Sequence, residues 1–153
     1  MVASKEPIMS QSERRFSFEF FPAKTEAGHE KLLATARNLA GYKPDFFSCT
    51  YGAGGSTRDR TLSTVLQLDG EVKVPTAPHL SCVGDSKAEL RELLGRYREA
   101  GIRRIVALRG DLPSGMGMAS GELRYANELV DFIRTETGDH FHIEVAAYRS
   151  EER

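Results

Sequence analysis

Ile105-Val106-Ala107-Leu108-Arg109-Gly110-Asp111-Leu112-Pro113 is the stretch whose reading decides the fold. Four apolar residues read as a short buried strand, and a charged turn follows at once. Gly110 permits a tight backbone there, and Pro113 forbids the strand from continuing. Arg109 and Asp111 are therefore expected where a strand hands over to a loop, the end of a parallel sheet at which ligands bind. Four other stretches repeat the design: 16–21 closed by Pro22, 46–51 running into Gly52-Ala53-Gly54-Gly55, 77–82, and 141–148. Their starts recur roughly every 30 residues, the cadence of βα units in a parallel sheet.

The intervening segments carry helical periodicity. The first starts at about Glu26, stripes Leu32, Leu33, Ala36 and Leu39, and reaches Gly41 as its C-cap. The second turns Leu62, Val65 and Leu66 inward and ends near Gly70. The third opens on the capping box Ser86-Lys87-Ala88-Glu89 and buries Leu90, Leu93, Leu94 and Tyr97. The fourth points Ala126, Leu129, Val130 and Ile133 inward. Strand faces then choose the architecture. Ser17/Glu19, Ser48/Thr50, His79/Ser81, Arg109/Asp111 and His142/Glu144/Tyr148 are each expected to share a face, opposite bulkier apolar residues. A doubly wound sheet is covered by helices on both faces and wants both apolar. A (β/α)8 barrel is covered only outside, and its inner mouth can be polar. The reading is an α/β fold of the TIM-barrel kind, here a partial barrel of about five parallel strands and four helices.

The chain has 153 residues, enough for one domain burying roughly 68–70% of its unfolded surface. Twenty-one basic against 22 acidic residues give a net charge of -1 without like-charge blocks, which argues against nucleic acid or an anionic membrane as partner. No apolar run reaches the roughly 18 residues of a membrane helix, and residues 1–15 lack a signal-peptide core, so a cytoplasmic protein is the simplest expectation. Cys49 and Cys82 lack CxxC spacing and read as small core side chains.

Among groups that could do chemistry, Glu19 stands out. A carboxyl flanked by Phe18, Phe20 and Phe21 is expected to be poorly hydrated, which favours the neutral form that donates a proton as a general acid. The bland alternative is an exposed strand-end Glu paired to a cation. Asp111 lies beside Arg109 at the ligand end, or else caps its turn. His79 is a third polar group on the same face, without companions at metal-ligand spacing, so no metal is expected. Gly52-Ala53-Gly54-Gly55 opens a helix and could cradle phosphate, but it lacks the GxGxxG spacing. Gly115-Met116-Gly117-Met118 reads as a mobile loop.

Five ordered motifs then carry a resemblance: Phe18-Glu19-Phe20-Phe21-Pro22, Thr50-Tyr51-Gly52-Ala53, Ala77-Pro78-His79-Leu80, Leu108 to Pro113, and Val145-Ala146-Ala147-Tyr148. Together they resemble the methylenetetrahydrofolate reductases of bacterial type, over the N-terminal half of that family's barrel. The resemblance implies a flavin-dependent TIM barrel that reduces 5,10-methylenetetrahydrofolate to 5-methyltetrahydrofolate with NAD(P)H, in one-carbon and methionine metabolism. FAD is the implied cofactor, NAD(P)H the reductant and a folate the substrate. Glu19 resembles the family's general acid, and Asp111 the carboxylate near the flavin pyrimidine that also meets folate. Thr50, Tyr51, Ala53, His79, Arg109, Gly110, Tyr125, Ala146 and Tyr148 resemble flavin-pocket residues.

The implied layout is a disordered lead-in at 1–15, a partial flavin-binding barrel at 16–148 and a tail at 149–153. A full barrel takes about 250 residues. Five strands alone are expected to leave open edges, to self-associate or form homo-oligomers, and to make a poor enzyme. Two other readings stay open: a non-catalytic half-barrel or interaction module, and a glycosidase-like barrel using Glu19 and Asp111 as its carboxylate pair.

Overall fold

The computed structural model describes residues 15–51, 55–82, 84–110 and 121–147. Apart from Arg15, the expected lead-in and tail lie outside the described residues, as do Ala53, Asp111, Tyr148 and the 115–118 loop. Among the described residues five strands form one sheet: β1 (Ser17–Phe20), β2 (Phe46–Cys49), β3 (Thr76–Ser81), β4 (Arg104–Leu108) and β5 (His142–Val145). Four α-helices alternate with them: α1 (Glu26–Ala40), α2 (Gly55–Gln67), α3 (Lys87–Glu99) and α4 (Ala126–Thr137), with a π-helical turn at Leu68–Val72 extending α2. All neighbouring strands are parallel and lie in chain order, β1-β2-β3-β4-β5. Right-handed crossovers that always step to the next strand in one direction put every helix on the same face. A doubly wound sheet instead reverses its order. The arrangement is an arc of a (β/α)8 barrel, with the other face free to line an interior.

The strands are shorter than the apolar runs suggested. Phe16 and Phe21 flank β1 rather than belonging to it and are 44% and 72% exposed. The run expected at 141–148 pairs only over His142–Val145, where β4 supplies a partner from Arg104 to Ala107. The core lies between sheet and helices in two clusters. Phe20, Phe47, Leu32, Leu33, Ala36, Leu68 and Val74 gather under α1. Leu90, Leu93, Leu94, Tyr97, Ile105, Ala107, Leu129 and Ile133 lead the larger cluster under α3 and α4. Cys49 and Cys82 are buried there with free thiols, as small core residues should be.

Local signals place the helix ends. Ser86 caps α3: its Oγ accepts from Glu89 N at 3.3 Å, while the Glu89 carboxylate accepts from Ser86 N at 2.8 Å. Thr25 caps α1, its Oγ1 accepting from Gly28 N at 3.1 Å. Gly41 is the C-cap of α1 but stays right-handed, because the chain tightens into three-residue bonds from Gly41, Tyr42 and Lys43. The left-handed reversal falls on Lys43, at φ 57.

Two helix faces differ from expectation. In α2 the buried line runs Thr61, Val65 and Leu68, flanked by Leu62 and Thr64, and this leaves Leu66 39% exposed. In α4 the buried residues are Leu129, Phe132 and Ile133. Phe132 occupies the core, whereas Ala126 and Val130 are only partly covered.

Candidate functional site

Period-two alternation along parallel strands sends one set of side chains to the helices and the other to the bare face. Residues from all five strands line one open trough of about 720 Å³ on that face. β1 contributes Glu19, β2 Ser48 and Thr50, β3 His79 and Ser81, β4 Val106 and Leu108, and β5 Glu144. Phe18 and Phe20 point the other way, into the aromatic cluster with Phe47.

This alternation corrects one expectation. The phenylalanines beside Glu19 do not desolvate its carboxyl, because they belong to the opposite face, and its side chain is 50% exposed. What approaches the carboxyl is His79, with Nε2 3.2 Å from Glu19 Oε2. His79 is 8% exposed, and burial pushes its imidazole below the usual range while the Glu19 carboxylate pulls it back up. The pair sits where a proton can pass between an imidazole and a carboxyl.

Thr50 and Tyr51 stand at the carboxyl end of β2. Thr50 N donates to Phe20 O at 2.9 Å, and Thr61 Oγ1 donates to Thr50 O at 3.0 Å, so this corner is tied to β1 and α2. Tyr51 also lines the trough, and its hydroxyl donates to Asp85 Oδ2 at 2.7 Å. Asp85 is 5% exposed and lies just after β3, a support that no local signal marked because its partner is 34 residues away. Gly110, at φ 83, and Ala146 complete the rim.

Arg109 and Tyr125 lie elsewhere. With Val106, Leu108 and Gly110 lining the trough, alternation sends Arg109 away from it, against its expected place on the polar face. Its guanidinium stands over the Tyr125 ring at 5.8 Å, and its carbonyl accepts from Ser81 Oγ at 3.0 Å and Cys82 Sγ at 3.3 Å. Tyr125 is 56% exposed. Glu144 and His142 do share the polar face, but they are bound into a cluster: Arg104 donates to Glu144, His142 Nε2 lies 3.0 Å from the same carboxylate, and the Arg104 guanidinium covers Phe46 at 4.6 Å. Among the described residues no three His, Cys, Asp or Glu side chains converge as a metal site would require.

Comparison with known proteins gives this trough a lineage. The family model for methylenetetrahydrofolate reductase matches residues 5–152. A 5,10-methylenetetrahydrofolate reductase of Pectobacterium carotovorum is 46% identical over 132 residues, covering 86% of this chain and 43% of the relative. The Escherichia coli protein of the same name is 42% identical over 138 residues, covering 90% of this chain and 45% of its own. Methylenetetrahydrofolate reductase (NADH) 1 of Arabidopsis thaliana is 40% identical over 144 residues, or 92% of this chain and 24% of the plant protein. The chain thus spans less than half the length of these relatives. With a family match over nearly its whole length and an in-order parallel arc that turns its polar face inward, the chain belongs to the methylenetetrahydrofolate reductase family.

Proposed function

We propose that this chain carries the N-terminal part of an active site that reduces 5,10-methylenetetrahydrofolate to 5-methyltetrahydrofolate, with FAD as cofactor and NAD(P)H as reductant. The observation that carries the reading is the approach of Glu19 to His79 on the polar face of the barrel arc. The trough suits a flat conjugated ring: Val106 and Leu108 offer an apolar floor, Thr50, Tyr51 and His79 offer hydrogen bonds, and Gly110 leaves the rim without a side chain. Those residues, with Ala146, would hold the flavin, and Asp111, Ala53 and Tyr148 would complete the pocket as the resemblance implies. Bound flavin supplies two-electron transfer between a nicotinamide and the folate. Glu19 delivers a proton from its carboxyl as the methylene bridge of the folate opens, and His79 keeps that carboxyl turned into the trough. Arg109 and Tyr125, stacked on each other away from the floor, would reach only an outlying part of the cofactor.

The name of the plant relative specifies NADH, and a nicotinamide is taken here as the reductant. Two free buried thiols suit a reducing compartment, and among the described residues no helix is long and apolar enough to cross a membrane, so we place the protein in the cytoplasm. The open edges of β1 and β5 favour pairing with further strands or another copy. Neither the glycosidase-like nor the non-catalytic reading is favoured by relatives that are named as reductases. The test is stopped-flow kinetics on Glu19→Gln in the full-length context, with the complete barrel loaded with FAD. A general acid is worth about 10²–10⁴ in rate, so the folate half-reaction should slow by that factor while flavin reduction by NAD(P)H keeps its rate. Equal slowing of both halves would refute this division.

A further inference from the structure

We propose that His79 is a positioning residue that holds the Glu19 carboxyl over the trough, and that the small side chain of Ser48 is what lets the two meet across β2. The inference rests on the reading of this trough as the reductase site, and it concerns the ligand-free chain. Glu19 is on β1 and His79 on β3, so one strand separates them. The residue in register with Glu19 on the intervening strand is Ser48, which is itself paired with Ala77. Both are small, and this leaves the space through which a glutamate can lean across β2 to reach 3.2 Å from His79 Nε2. A branched side chain at Ser48, 5% exposed beneath the pair, would fill that space.

The two partners are unequal in rigidity. β3 is paired on both sides, Cys49 to Pro78 and His79 to Val106, and His79 is 8% exposed. Glu19 stands on an edge strand with half its side chain in solvent and several rotatable bonds. The imidazole is therefore the fixed point and the carboxyl the group that is held. Around His79, β1 brings Glu19, β2 brings Ser48 and Thr50, and β4 brings Val106. On β5, Glu144 is engaged by Arg104 and His142. Among the described residues Glu19 is thus the charged group acting on His79, and its attraction opposes the effect of burial there.

The experiment is a histidine-side-chain 15N NMR titration of the cofactor-free chain, comparing wild type with Glu19→Gln and Ser48→Val. Loss of the carboxylate, or its displacement by the added methyl groups, should move the His79 midpoint to lower pH in both variants, since each removes the attraction that favours the imidazolium. Side-chain relaxation of Glu19 should also show greater disorder in Ser48→Val and in His79→Leu, with His79→Asn, which keeps a donor, falling between. An unchanged His79 midpoint in Glu19→Gln would overturn the pairing. A shift in Glu19→Gln without one in Ser48→Val would overturn the role of Ser48. Because no flavin is present, failure of the chain to bind FAD would count against the proposed function alone. A missing His79 response beside normal FAD binding would count against this inference alone.

Discussion

Replacing Phe47 by alanine, and separately its neighbour Phe46, tests which face of β2 belongs to the core. Phe47 has no solvent exposure, and its ring meets Phe20 edge-on at 5.0 Å and Phe18 at 6.4 Å. A Phe→Ala change at a fully packed site costs about 3–5 kcal/mol, through lost burial and the cavity left behind. Phe46 sits on the trough side, partly exposed, with the Arg104 guanidinium 4.6 Å from its ring centre. Its loss removes partial burial and a cation–π contact of about 0.5–2 kcal/mol, with no closed cavity, for a total near 1–2 kcal/mol. Urea unfolding followed by far-UV circular dichroism reads the contrast. With m of about 1–3 kcal/mol/M, Phe47→Ala should lower the midpoint by roughly 1–5 M, and Phe46→Ala by about a third to two-fifths as much. Equal losses, or a larger loss at Phe46, would show that the assignment of faces is inverted and that the polar trough is not the inner face.

Ser86→Ala should cost about 1 kcal/mol by the same assay, because it breaks the reciprocal cap of α3, and an unchanged midpoint would mean the cap contributes nothing. Burial, reinforced by the Glu19 carboxylate, pushes the Cys49 thiol up to about 12, and burial raises Cys82 as well. Neither should react with a thiol reagent at about pH 8 until the chain is unfolded, and rapid labelling of the native protein would contradict their placement in the core. The guanidinium of Arg91 holds Glu136 below the usual carboxylate range, and the Arg124 N–H does the same for Glu128. Their stabilising contribution is present above the unfolded-state value and lost as pH falls through the lower folded one. Acid should therefore weaken the contact of α3 with α4 below about pH 4, less steeply in Glu136→Gln, and identical acid profiles would remove Glu136 from the explanation.

The fold was legible where periodicity was long and punctuation clear. The faces of strands 16–21 and 77–82, and the stripe Leu90, Leu93, Leu94 and Tyr97, follow from local alternation that the structure repeats. Strand lengths were not legible, because pairing stops where the neighbouring strand stops, as β5 does opposite β4. Leu66 and Phe132 depended on which helical row meets the sheet, a tertiary matter that hydrophobicity alone leaves open. At the site, Glu19 and His79 were each visible as polar groups on one face, but their contact was not, since it spans 60 residues and depends on the size of Ser48. The environment expected for Glu19 was wrong for a simple reason: neighbours in the sequence of a strand are on opposite faces in space. The same alternation, carried through β4, sends Arg109 away from the trough.

The most direct measurement is a visible-absorption titration of the purified chain with FAD, repeated for Leu108→Trp and Leu66→Trp. Leu108 lines the trough, so a tryptophan there fills it from below, whereas Leu66 is exposed on α2 away from it. The flavin bands should shift on addition to the wild-type chain and to Leu66→Trp, and Leu108→Trp, checked for folding by circular dichroism, should bind about tenfold or more weakly, a loss of at least ~1.4 kcal/mol. No spectral response in the wild-type chain, or equal responses in the two variants, would contradict the proposal that the cofactor binds on the polar face of the barrel arc.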